Sequence, residues 1–161
     1  MATLKTSYGT KTAVTIPIAS LGSSAGLTIG SESASLNVGT LGVEDLIIGG
    51  RFKTGTTSFA AGIIELWAAG SNDDTYFPSG LLGTAAARTV TNKEDLFRVD
   101  IVSLTTADTT YILNPTAIAR QFGGRLPPYL TFFLTHSTVA ALSATPGDHE
   151  LNYVAVNSAT V

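Results

Sequence analysis

Two histidines, His136 and His149, are the side chains in this sequence best suited to proton transfer near neutral pH. His149 follows Asp148 and serines are plentiful, so the parts of a Ser-His-Asp relay are present. Their arrangement is not: no serine stands in a G-x-S-x-G elbow, and adjacency in sequence is not triad geometry. Both histidines stand beside runs of turn formers and are expected as solvated turn residues. Imidazole metal ligation lacks its usual spacing, since H-E-x-x-H and H-x-H are absent, and there is no cysteine to supply thiolate. Asn72, Asp73 and Asp74 offer the hard oxygens that Ca²⁺ takes, but not at the spacing of a calcium loop, and they read as an Asx-rich turn. Glu44-Asp45 and Glu94-Asp95 are adjacent pairs, which on a strand point to opposite faces and do not suit two-carboxylate hydrolysis. No Gly-rich phosphate loop occurs. The expectation is a protein that is not an enzyme, with no cofactor and no metal.

The aromatics leave one binding chemistry open. Trp67, Tyr76, Phe77 and Tyr129 have the makings of a sugar-stacking platform, which makes a carbohydrate-binding jelly-roll module an alternative reading. Trp67, however, alternates with Ile63 and Glu65 in a strand pattern, which points to core or interface. Tyr76 and Phe77 lie between turn formers, where exposed aromatics serve protein contacts.

Composition limits what must hold these residues. The chain has 161 residues, 44% hydrophobic and only 13% charged, with a net charge of −3. Soluble monomers carry ~25% charged residues, so a surface filled with Thr, Ser, Ala and Gly is one suited to being covered by neighbours. The nine Lys and Arg gather nowhere, so there is no basic face for nucleic acid. No run approaches the ~20 apolar residues of a transmembrane helix, and "MATLKTSYGTK" lacks the apolar centre of a signal peptide. Synthesis in the cytoplasm, with no membrane and no nucleic-acid partner, is expected.

Short bursts of alternation, separated by Gly, Asn, Asp, Ser and Pro, mark the strands. Val14, Ile16 and Ile18 share a face, with Pro17 restricting that strand to an edge or bulge. Leu27 and Ile29, then Ala34, Leu36 and Val38, follow; Val43, Leu46 and Ile48 precede a Gly49-Gly50 bend. Ile64, Leu66 and Ala68 share a face, as do Phe97, Val99 and Ile101, which are expected inward. The 71–83 stretch reads as an exposed loop, and 84–95 as a short strand or extended loop. In "NPTAIARQFGG", Asn114 suits an N-cap, Pro115 the first helical position and Gly123 a left-handed stop, giving one short helix near residues 115–122. Pro127-Pro128 start an extended chain whose two faces, Leu130/Phe132/Leu134 and Tyr129/Thr131/Phe133, are both bulky, as in a central strand. The last strand sets Leu151, Tyr153 and Ala155 against Asn152, Val154 and Val156. The sum is an all-β, jelly-roll-like antiparallel β-sandwich, with an N-terminal arm over 1–12 and one domain over 13–161.

The order "GIIELWAAGSNDDTYFPSG", "DLFRVDIVSL", "RLPPYLTFFLTHSTVAALSATPGDHELNYVAVN" resembles the small jelly-roll structural proteins of tailed bacteriophages, several of which are head decoration or cement proteins. The shared pattern is a Leu-Pro pair opening a long strand (Leu126-Pro127), a polar turn from His136 to Gly147, and a closing strand through Tyr153. The resemblance implies a virion location on the capsid surface, contact with the major capsid protein, and self-association as a dimer or trimer, with a tail or baseplate component of a phage as the alternative. Interface residues are expected in the arm (Lys5, Tyr8, Lys11), ordering on binding, and in the loop Asp73, Asp74, Tyr76, Phe77.

Overall fold

A computed structural model gives the structure of the chain over residues 4–160. Where apolar residues alternate, strands form, because successive side chains on an extended backbone face opposite ways. Ten strands result: β1 (Leu4–Ala13), β2 (Ile29–Glu32), β3 (Leu36–Asn37), β4 (Asp45–Lys53), β5 (Gly62–Ser71), β6 (Ala87–Thr89), β7 (Phe97–Leu104), β8 (Thr110–Ala117), β9 (Tyr129–His136) and β10 (Glu150–Thr160). The first sheet runs β1-β10-β4-β8, the second β6-β2-β9-β5-β7, with β3 also on β9, and all pairings are antiparallel.

Apart from the short β3 and β6, the pairing follows one rule. The first strand pairs with the last (β1 with β10), then β2 with β9, β4 with β8, and β5 with β7. This is one long hairpin rolled on itself, the topology of a jelly roll. Between the sheets lies the main core: Leu46, Ile48 and Phe52 from the first sheet face Ile64, Leu66 and Phe132 from the second, all without solvent exposure. Each such side chain contributes ~1.5–3 kcal/mol by leaving water.

The outer faces of the two sheets differ. The connection from β5 to β7 folds back over the second sheet, and Phe77, Leu81, Val90 and Leu96 close a smaller core on Ala69 and Phe133. Buried charge fastens this cover. Glu32 accepts from the Leu82 and Thr84 N–H groups at 3.0 and 2.8 Å. Lys93 reaches Glu65 at 2.8 Å and lies over the Trp67 ring, whose Nε1–H also donates to Glu65. Among the described residues, the first sheet has no such cover.

Several local expectations change. Val14–Ile18 is not a strand, although Val14 and Ile18 are buried; the strand precedes it as β1, edge-paired to β10 from Leu4 onward. The segment expected as an arm is thus, over its described residues, an edge strand; residues 1–3 lie outside the described residues. Val38 opens a four-residue helix, α1 (Val38–Leu41), capped by Asn37 accepting from the Thr40 N–H and ended by left-handed Gly42. The helix expected near 115–122 begins only at Ala119, as a 3-10 turn stopped by left-handed Gly123. Asn114 and Pro115 stay in β8: the Asn114 N–H donates to Asp100, and Asp45 Oδ1 caps the later turn by accepting from Ile118 and Ala119. In β7 the core takes Val99, Leu104 and part of Val102, while Phe97 and Ile101, expected inward, are exposed; the β5–β7 register slips between Leu66 and Trp67. A slip of this kind reverses the faces on either side of it.

Candidate functional site

The two histidines do not form a reactive centre. His136 ends β9 fully buried, contrary to the expectation of a solvated turn residue, because the 20–28 connection wraps over it. Its Nε2 lies 2.9 Å from the Leu21 carbonyl, which can only accept, so that nitrogen carries a proton. Its Nδ1 lies 3.0 Å from Thr138 Oγ1. Burial lowers its pKa, opposed by the Leu21 hydrogen bond, and so favours the neutral ring. His149 is half-buried, with Nδ1 accepting from the Lys53 N–H and Nε2 donating to the Ser143 carbonyl at 2.9 Å. Asp148 accepts from the Ser143 hydroxyl at 2.6 Å. His149 thus turns both ring nitrogens to the backbone, and Ser143 donates to Asp148. Among the described residues, no group of three or more His, Asp or Glu side chains is placed to hold a metal ion.

The aromatic platform is not assembled either. Phe77, expected exposed beside Tyr76, is 7% exposed in the small core, whereas Tyr76 is 79% exposed. Trp67 is half-buried between Glu65 and Lys93, and Tyr129 packs against the small core. Asp73 does form an Asx turn: its Oδ1 accepts from the Ser71 hydroxyl and from the Thr75 and Tyr76 N–H groups at 3.0–3.1 Å. Those hydrogen bonds, that of Thr75 first, hold its carboxyl below the usual range.

What the fold leaves open is the outer face of the first sheet. Cross-strand partners share a face, and two rows run across it. One is Lys11–Val154–Ile47–Ala117, the other Glu150–Arg51–Ile112. Ile47, Ile112, Pro115 and Val154 wall a trough of about 290 Å³ whose floor is the backbone of Gly49 and Gly50. Each glycine has its own cause. A Cβ on Gly50 would stand 2.2 Å from the Glu150 carbonyl, so β10 can approach only a glycine there. A Cβ on Gly49 would meet nothing nearer than 3.6 Å, and Gly49 has no positive φ. At one edge Glu150 accepts from Lys11 and stands 3.7 Å from Arg51; the Lys11 hydrogen bond holds its carboxyl below the usual range.

Apart from Lys5, the expected interface residues fall into two groups on opposite sides of the sandwich. Tyr8, opposite Val156, and Lys11, opposite Val154, belong to the bare face; Lys5, opposite Ala159, alternates to the other side of the β1–β10 ribbon. Asp73, Asp74, Tyr76 and Phe77 belong to the cover on the second sheet. The trough itself was missed, although β10 carried its signal: a strand with Leu151 and Tyr153 on one side and Val154 and Val156 on the other has two apolar faces, only one of which the core can use.

No protein-family model matches the chain, and no curated protein matches it.

Proposed function

We propose that the chain is a non-enzymatic structural subunit, a decoration or cement protein that coats the head of a tailed bacteriophage through contacts with the major capsid protein and with its own copies. One observation carries the reading. The 25 residues from 72 to 96 cover one sheet, while among the described residues the other sheet is left bare, with an apolar trough at its centre. A jelly roll alone decides nothing, since the same fold serves capsids, lectins and enzymes. The low charge density and the bare apolar face together support a molecule made to be covered.

Magnitude explains why such a subunit works in numbers. Strands ~4.8 Å apart and ~3.4 Å per residue make a four-stranded face of about seven residues roughly 450 Å² in area. A stable interface takes ~800 Å² from each partner. One contact through this face is therefore weak, and repetition over a symmetric shell supplies the missing affinity.

The test is the number of copies per purified particle, by quantitative mass spectrometry. On the order of hundreds supports a shell component; about six or twelve moves the protein to the tail, where closed rings are small; none overturns the reading. Glycan binding that Tyr76→Ala abolishes would favour the carbohydrate-binding alternative, since Tyr76 is the exposed member of the expected platform.

A further inference from the structure

Two features on opposite sides of the sandwich complement each other. On the first sheet is the trough, about 290 Å³, just under the ~300–1,000 Å³ of small-molecule pockets and sized for one large side chain. Nothing in the fold demands that Gly49 lack a side chain, so its bareness serves the space above it. The trough's charged edge holds two cations, Lys11 and Arg51, with side chains 60% and 51% exposed, around the single anion Glu150. On the other side the loop after β5 presents Tyr76, 79% exposed, between two acids and the buried Phe77. Asp73 fixes this loop through its three hydrogen bonds, and Asp74 takes a left-handed φ of 62° at the tip.

We infer that the trough of one copy receives Tyr76 of a second copy, with Asp73 and Asp74 of that copy set against Lys11 and Arg51. A tyrosine buried in an apolar pocket is the residue type that dominates interface energetics, and the flanking opposite charges steer it and fix its register. Knob and trough are different surfaces on opposite sides of the molecule, so the contact is heterologous. Repeated, it makes a ring or an open row rather than a closed two-fold pair. The inference rests on reading the chain as a subunit covered by neighbours, and it names which neighbour and by which contact.

The test needs only the purified chain, followed by sedimentation velocity over a concentration series at low and high salt. Expected is reversible association that weakens with salt. Tyr76→Ala and Gly49→Leu each weaken it by at least about tenfold, as loss of an interface anchor does, with unchanged melting and circular dichroism. Mixing the two variants is decisive. Tyr76→Ala keeps its trough and Gly49→Leu keeps its knob, so together they form a pair that grows no further. A wild-type chain monomeric at every concentration, either variant associating like wild type, or folded variants that fail to pair on mixing each overturn the contact. Should Gly49→Leu not fold, Lys11→Glu leaves the trough intact and is expected to weaken association at low salt; no change there also overturns it. No particle enters the measurement. A chain that associates in this way but is missing from virions sinks the virion reading and leaves the contact standing.

Discussion

Glu32 and Arg88 form an ion pair, Oε2 to Nε 3.2 Å, in which the Glu32 side chain has no contact with solvent. The Arg88 N–H does not point along that line and makes no hydrogen bond there, so the attraction is ionic, while the Leu82 and Thr84 N–H groups supply the hydrogen bonds. Glu32→Ala takes the acceptor from those groups and the counter-charge from Arg88, whose Nη2 keeps only its hydrogen bond to Thr84 Oγ1. It is expected to cost ~3–5 kcal/mol, read by urea unfolding, and to make the 72–96 cover the first segment cut in limited proteolysis. Cleavage starting elsewhere in the variant would show that Glu32 is not what fastens the cover.

His136 ties stability to pH. Its folded pKa lies below the ordinary 6.5, so as pH falls below that value the unfolded chain takes a proton that the native state refuses. Stability is therefore complete above about 6.5 and declines as pH falls from there toward the lowered native value, with a slope of up to ~1.4 kcal/mol per pH unit. Asp73 and Glu150, both held low, add their own losses only further down, below their ordinary 3.8 and 4.5. Urea midpoints between pH 7.5 and 5.5 are expected to fall for the wild type and to stay flatter for His136→Gln; equal slopes would remove His136 as the cause.

Adjacent glycines predict opposite outcomes. Gly50→Ala forces a methyl group to within 2.2 Å of the Glu150 carbonyl and must part β4 from β10. A loss of ~2–4 kcal/mol is expected. Gly49→Ala meets only ordinary contacts and restricts the unfolded chain, so it is expected to be neutral or to stabilise by up to ~1 kcal/mol. Thermal melts of the two variants check both, and a damaging Gly49→Ala would mean that the trough floor is needed by the fold.

Asp73→Ala removes the acceptor shared by Ser71, Thr75 and Tyr76. The site is exposed, so global stability is expected to change by less than ~1 kcal/mol. Amide exchange at Thr75 and Tyr76 is expected to accelerate, because both N–H groups lose their partner. Unchanged exchange would show that the loop holds its shape without Asp73.

Strands with two apolar faces were the legible part of the sequence. β9 and β10 declare their alternation and their place, because both faces of each carry apolar side chains. β1 was illegible for the opposite reason: "LKTSYGTKTA" is an exposed edge strand with no buried face to pattern it. The Asn114-Pro115 pair carried helix-start chemistry, yet Asp100 takes the Asn114 N–H and the β4–β8 register slip beside Gly49 accommodates the proline. His136 looked solvated from the turn formers that follow it, while its burial comes from residues more than a hundred positions earlier. The trough was not legible. Lys11 and Tyr76 were found as types suited to contact, but the trough depends on three strands meeting, which no local window records.

The pairing of first strand with last has a consequence for timing. Leu4 lies opposite Thr160, so the outermost ladder cannot close until the end of β10 has left the ribosome. Such distant pairing makes folding slow, because the chain loop must be closed before its contacts repay it. Val154 and Glu150, which wall and rim the trough, arrive with that same strand. A nascent chain therefore has no finished trough until β10 has been made and paired with β4.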